Sequence, residues 1–181
     1  VYALKNSGVE KVIIWMPTFR SGSSYYPESE IKRKYSLPIL NSDKQLVLLN
    51  EFLATKDVIL VIKKHQFETE QYAGDARLSN IRFIEDRDLE KEGIQLYELL
   101  GKTDALLTDY SSVAIDYLLL DKPIGFTLDD FKEYDNTRGF VFEEPRDYMP
   151  GHHIYTYDDL CEFISDVNAG KDLYVKERAS V

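Results

Sequence analysis

The chain has 181 residues, 44% of them apolar, and its 32 acidic against 22 basic side chains leave a formal charge of −10. That length suits one domain, residues 1–181, able to bury roughly two thirds of its unfolded surface. The charge argues against a broad nucleic-acid or anionic-membrane surface, which needs clustered Lys and Arg, but leaves room for an anionic ligand in a small local site.

The single cysteine, Cys161, permits no internal disulfide, as suits a reducing compartment. No apolar run reaches the length of a membrane span and no signal peptide is visible. A start at Val1 without Met is what an excised piece of a longer protein would show.

In chain order, residues 2–6 read as a helix end stopped by Gly8. Residues 12–16 are continuously apolar and β-branched, which fits a parallel strand covered on both faces. Pro17 ends it, and Thr18-Phe19-Arg20 falls where open α/β sheets bind ligands. Residues 21–40 carry Gly22, Pro27 and Pro38 and read as a long mobile loop. Ser42 can cap a helix over 43–56, with Leu46, Leu49, Asn50, Leu53 and Ala54 on one face.

Residues 58–62 form a second buried strand running into Lys63-Lys64-His65, a candidate phosphate contact. A third strand covers 81–84. The charged stretch 85–93 reads as a solvated connection, and 94–101 as a short helix. Residues 104–107 are a fourth strand and 113–120 a buried helix, joined by Thr108-Asp109-Tyr110-Ser111-Ser112. A fifth strand spans 123–126 and one or two helical turns span 129–134. Arg138-Gly139 opens an acidic loop that runs to Gly151. An amphipathic helix over 158–167 turns Leu160, Cys161, Phe163, Ile164 and Val167 inward. Strands alternating with helices point to a doubly wound, mostly parallel α/β sheet of Rossmann-like type.

A strand, a short turn and a helix N-terminus make a ready anion site, because the first amides of a helix lack partners and carry partial positive charge. Ser111 and Ser112 sit at such a start; equally, either serves as an ordinary N-cap. Asp116 is the only charge within 113–120. If buried it needs a partner, and a structural role, orienting the turn through a hydrogen bond, suits it better than ligand contact. His65, His152 and His153 show no zinc-like spacing, and the adjacent pair His152-His153 points in different directions on regular structure. Phosphate loops, dinucleotide fingerprints and hydrolase nucleophile elbows are absent. What remains is a set of donors at strand ends: Arg20, Lys63, Lys64, His65, Ser111, Ser112 and Arg138. Three or four hydrogen bonds of about 1.5–3 kcal/mol each would hold a diphosphate in a protein acidic overall.

An ordered series of motifs resembles the CDP-glycerol glycerophosphotransferases, the teichoic-acid primases and polymerases. Pro17-Thr18-Phe19-Arg20 resembles the family's Ala-Pro-Thr-Phe/Trp-Arg. Residues 60–65 resemble its apolar strand ending in Lys-x-His-Pro, with Gln66 in place of the proline. Thr108 to Val113, followed by Asp116-Tyr117, resembles its Thr-Asp-Tyr-Ser-Ser-Val-x-x-Asp-Phe/Tyr signature. Lys122-Pro123, the run 129–134, Arg138-Gly139-Phe140 and Pro150-Gly151 complete the series, in order from about Lys11 to Gly151.

The resemblance implies the carboxyl-terminal, nucleotide-binding half of a GT-B fold. It implies transfer of a polyol phosphate from a CDP-polyol to a hydroxyl of a teichoic-acid-type or capsular polymer, with CMP leaving. His65 and Arg138 would be catalytic, and Ser111, Ser112, Arg20, Thr18, Asp109 and Gly139 would bind the donor diphosphate. No metal or resident cofactor is implied. The polymer acceptor would be held by an amino-terminal half with a histidine base, which this sequence lacks, so the chain alone is expected to be inactive. The whole protein would sit at the inner face of a bacterial membrane. A nucleotide-sugar glycosyltransferase of the same architecture, or a non-catalytic nucleotide-binding module, is the alternative.

Overall fold

The computed structural model describes residues 10–18, 37–63 and 78–181. Among these, six parallel strands form one sheet: β1 (Lys11–Trp15), β2 (Val58–Lys63), β3 (Ile81–Ile84), β4 (Ala105–Thr108), β5 (Ile124–Thr127) and β6 (His152–Ile154). Their spatial order is β3-β2-β1-β4-β5-β6. The order reverses between β1 and β4, whose register pairs Ile13 with Ala105 and Trp15 with Leu107. In such sheets the crevice at the carboxyl ends of the two strands flanking the reversal is where ligands bind.

The strands are apolar at consecutive positions because both faces are covered. Side chains alternate across the pleat. Ile13 and Trp15 join one core with α1 (Asp43–Thr55) and α6 (Tyr157–Asn168). Val12 and Ile14 join the other, with α3 (Leu96–Lys102) and α4 (Val113–Leu118). Ser42 caps α1 as its sequence implies, accepting the Gln45 N–H at 3.3 Å. Ala54, placed on the inward face by spacing, is instead exposed, and Leu46, Leu49, Asn50 and Leu53 carry the packing.

Several expectations change. The charged connection after β3 is a helix, α2 (Asp86–Glu92), closed by Gly93 in the left-handed region at φ 64°. Its start is held by the Asp88 carboxylate, which accepts the Glu85 N–H at 2.8 Å. The helix read as buried over 113–120 stops at Leu118, and one side faces solvent: Ile115 is 52% and Leu119 89% exposed. The last four residues of the expected mobile loop, 37–40, are buried. Ile39 there holds φ 69°, costly for a β-branched residue, with its N–H donated to Asp129 Oδ2 at 3.1 Å. α5 (Phe131–Thr137) runs past the one or two turns expected after β5, and Pro145–Tyr148 adds a 3₁₀ turn. β6 is a strand that composition did not reveal. His152 and His153 do diverge, His152 toward Phe163 and Tyr174, His153 toward Phe126. Cys161 is half-buried on α6, where burial pushes its thiol pKa up. The expected helix end at 2–6 lies outside the described residues.

Gly151 marks the tightest backbone approach. A Cβ there would come 2.1 Å from the carbonyl oxygen of Ile124, the first residue of β5. Backbone cannot yield as a flexible side chain does, so Gly151→Ala is expected to cost about 3 kcal/mol of unfolding free energy. Urea denaturation monitored by Trp15 fluorescence measures it.

Candidate functional site

The reversal brings the end of β1 against the turn that follows β4. Three consecutive residues of that turn each tie to a different neighbour. Thr108, fully buried, donates its hydroxyl to the Met16 carbonyl at 2.8 Å and accepts on its own carbonyl the Thr127 hydroxyl at 2.9 Å. Asp109, 1% exposed, receives the Thr18 N–H at 2.8 Å on Oδ2 and at 3.1 Å on Oδ1, and the Thr18 hydroxyl at 2.5 Å on Oδ1. Tyr110 donates its hydroxyl to Asp130 Oδ1 at 2.9 Å.

Ser111 and Ser112 come next, on the way out to solvent: Ser111 is half-buried and Ser112 exposed. Ser112 is already in helical geometry at φ −60° and makes no side-chain cap bond. The Ser111 hydroxyl lies 3.5 Å from the Val113 N–H, at the limit of a hydrogen bond. α4 instead starts with tight backbone bonds from Ala114 N–H to Ser111 O at 3.1 Å and from Ile115 N–H to Ser112 O at 3.0 Å. Capping therefore does not account for the two hydroxyls.

Arg138 and Gly139 close α5, a continuation of the loop after β5. Both donate their N–H to the Tyr134 carbonyl, at 2.8 and 3.1 Å, and both are exposed. Gly139 sits at φ 68°, a conformation that glycine adopts without strain. An aromatic cluster joins this segment to the turn after β4. The Tyr110 ring lies 4.0 Å from Tyr134 and 5.4 Å from Phe140, and Phe140 stacks on Phe131 at 5.0 Å. Arg146 covers the outer side of Phe131 at 4.3 Å.

The structure thus joins Thr18 to Asp109 at the carboxyl ends of β1 and β4, with Ser111 and Ser112 next in the same turn, and ties the segment that carries Arg138 and Gly139 to that turn through the aromatic cluster. Asp109 aims its oxygens at Thr18, within the protein. His65 and Arg20 lie outside the described residues, as does Lys64. Lys63, offered as a phosphate contact, is 9% exposed at its side chain and pairs with Asp86 at 2.8 Å. Asp116 does not orient the turn. It lies on the exposed side of α4 and accepts the Tyr97 hydroxyl at 3.0 Å, a contact that raises the phenol's pKa. Among the described residues no group of three His, Cys, Asp or Glu side chains is placed to hold a metal ion, and no helix is long and apolar enough to cross a membrane. Tyr110, Asp130, Tyr134 and Phe140 fall within the motif series, but the sequence assigns none of them a role at the site. The signal available was the pair of aromatics flanking Arg138-Gly139.

A hydrogen bond to a charged group contributes about 1.5–3 kcal/mol. Thr18→Val is expected to lower the unfolding free energy by about 2 kcal/mol and Asp109→Asn by a similar amount. The double variant should lose clearly less than their sum, as coupled partners do, in a urea-denaturation cycle.

The family model for CDP-Glycerol:Poly(glycerophosphate) glycerophosphotransferase matches residues 4–181. The chain is 28% identical over 160 residues to the teichoic acid ribitol-phosphate polymerase TarL of Staphylococcus aureus, covering 87% of this chain and 25% of that protein. It is 31% identical over 132 residues to the teichoic acid glycerol-phosphate primase of Bacillus spizizenii, covering 73% of this chain and 29% of that one. Its fold is similar to that of the wall teichoic acid polymerase TagF, with a TM-score of 0.65 and 23% identity, over 99% of this chain and 41% of that chain. The chain therefore spans about a quarter to two fifths of the length of these relatives.

Proposed function

Because the chain belongs to the CDP-Glycerol:Poly(glycerophosphate) glycerophosphotransferase family, we propose that it is the donor-binding part of a transferase that moves a polyol phosphate from a CDP-polyol to a hydroxyl of a teichoic-acid-type polymer. The acceptor oxygen forms a bond to the donor's outer phosphorus, the bond between the two phosphates breaks, and CMP leaves. The acceptor's proton goes to a base supplied by another part of the full protein.

The observation that carries this reading is the turn itself: two hydroxyls unspent on capping, facing outward, with the Arg138-Gly139 segment tied to the same turn. Catalysis of phosphoryl transfer rests on positioning and on stabilising charge. Ser111 and Ser112 hold the diphosphate through their hydroxyls. Arg138 offsets the charge that builds on CMP as it departs, and Gly139 lets backbone approach. Thr18 and Asp109 serve by fixing the turn rather than by touching the anion, since a carboxylate against a diphosphate repels it. His65 and Arg20, which lie outside the described residues, are assigned to the same anion by the motif series alone. Relatives that are ribitol-phosphate and glycerol-phosphate enzymes leave both polyols as candidate cargo. The full protein works at the cytoplasmic face of the membrane, where its donor and its polymer meet.

Calorimetric titration with CDP-glycerol, CDP-ribitol and UDP-glucose tests the reading. The chain is expected to bind a CDP-polyol in preference to UDP-glucose. Ser111→Ala/Ser112→Ala and Arg138→Ala should each lower that affinity about tenfold or more, as the loss of one or two charge-assisted bonds implies. Preference for UDP-glucose selects the nucleotide-sugar glycosyltransferase instead. Indifference to all three overturns donor binding.

A further inference from the structure

We propose that Tyr110 is a positioning residue for Arg138, holding it in register with the Ser111-Ser112 turn, and that the buried carboxylate of Asp130 sets the orientation of Tyr110. The inference rests on the donor-binding reading above and adds a residue that touches no ligand.

Tyr110 is bonded to Ser111 in sequence, so its ring and the two serines move together. Its ring packs at 4.0 Å on Tyr134 and at 5.4 Å on Phe140. Those two residues bracket Arg138 and Gly139, and the Tyr134 carbonyl receives the N–H of both. Tyr134 and Phe140 also touch each other, with centroids 5.1 Å apart, so the segment between them is a closed loop of chain gripped at both ends. Gly139, at φ 68°, supplies the reversal that closes it. One ring therefore contacts both flanks of the Arg138-Gly139 segment.

Packing alone would be served by phenylalanine. The hydroxyl adds direction: it donates to Asp130 Oδ1 at 2.9 Å, and Asp130 is 3% exposed at the start of α5. A buried carboxylate needs hydrogen-bond donors, so this bond favours one tilt of the Tyr110 ring over others. Because Asp130 is the residue just before α5 and Arg138 the residue just after it, the same bond ties the turn after β4 to one end of the helix that leads into the arginine. Geometry at a diphosphate is demanding, and small misplacements of a charged group cost large factors in function.

The test is a binding cycle on the chain with CDP-glycerol, using Tyr110→Phe, Arg138→Ala and the double variant, with thermal melts beside it. Tyr110→Phe is expected to melt within a few degrees of wild type and to lose about tenfold in affinity. In the Arg138→Ala background the same change should cost less than twofold, because its effect runs through the arginine. If Arg138→Ala abolishes measurable binding, Arg138→Lys is the background, since it keeps the charge but loses the planar fork. If Tyr110→Phe fails to fold, Asp130→Ala removes the acceptor of the Tyr110 hydroxyl and is carried through the same cycle. Equal affinity of Tyr110→Phe and wild type, or losses that simply add, overturns the positioning role and leaves donor binding standing. A wild-type chain that binds no CDP-polyol overturns both.

Discussion

A carboxylate buried at the point where the sheet's order reverses governs the rest of the site. Asp109 has almost no access to water and carries a charge that, without donors, would cost several kcal/mol to bury. Thr18 meets that need from the neighbouring strand's loop with an amide and a hydroxyl. The requirement runs both ways. Thr18 lies past the end of β1, beyond Pro17, where no ladder bond reaches it, and the carboxylate is what holds its backbone amide. Two loops that would otherwise diverge from adjacent strands are locked at one separation. The crevice between them inherits a fixed width.

Beside that lock two carboxylates are directed into the protein. The site lies in a chain of net charge −10, yet Asp109 and Asp130, both buried, accept hydrogen bonds from the protein itself. Their charge is spent on positioning. The groups proposed above for the anion are the Ser111 and Ser112 hydroxyls and Arg138. An acidic protein can thus present a locally electropositive mouth without a basic surface, because the field at a ligand is set by the nearest dipoles and charges while distant surface carboxylates are screened within a Debye length of about 8–10 Å.

The strands were legible because burial on both faces forces unbroken apolar runs; the first three read to within a residue or so of their bounds. Elements whose stability comes from elsewhere were not. α2 has no buried residue and is built from charges and a side-chain brace at its start, so it reads as solvated chain. β6 has three residues, two of them histidines, and exists because β5 offers it an edge. α4 shows the opposite failure. Its apolar content signalled burial all round, whereas only Val113, Ala114 and Tyr117 are buried, because hydrophobic composition does not say which side of a helix finds a partner. At the site, the motif Thr108 to Ser112 marked the place, but periodicity does not distinguish a carboxylate aimed at a ligand from one aimed at Thr18. That distinction is a tertiary fact.

The order of residues in the turn has a physical logic. A turn that must present two hydroxyls in fixed positions loses conformational entropy of about 1–2 kcal/mol per residue ordered, and a flexible one would meet that cost again each time a ligand bound. Here the preceding three side chains meet it in advance by bonds to two neighbouring segments: Thr108 and Asp109 to Met16 and Thr18, just past β1, and Tyr110 to Asp130, just before α5. Anchors on two segments restrain the backbone of the turn. The serines that follow are then delivered by covalent geometry alone. They depend little on bonds of their own: Ser111 makes only the long contact to the Val113 N–H, and the exposed Ser112 makes no side-chain cap bond.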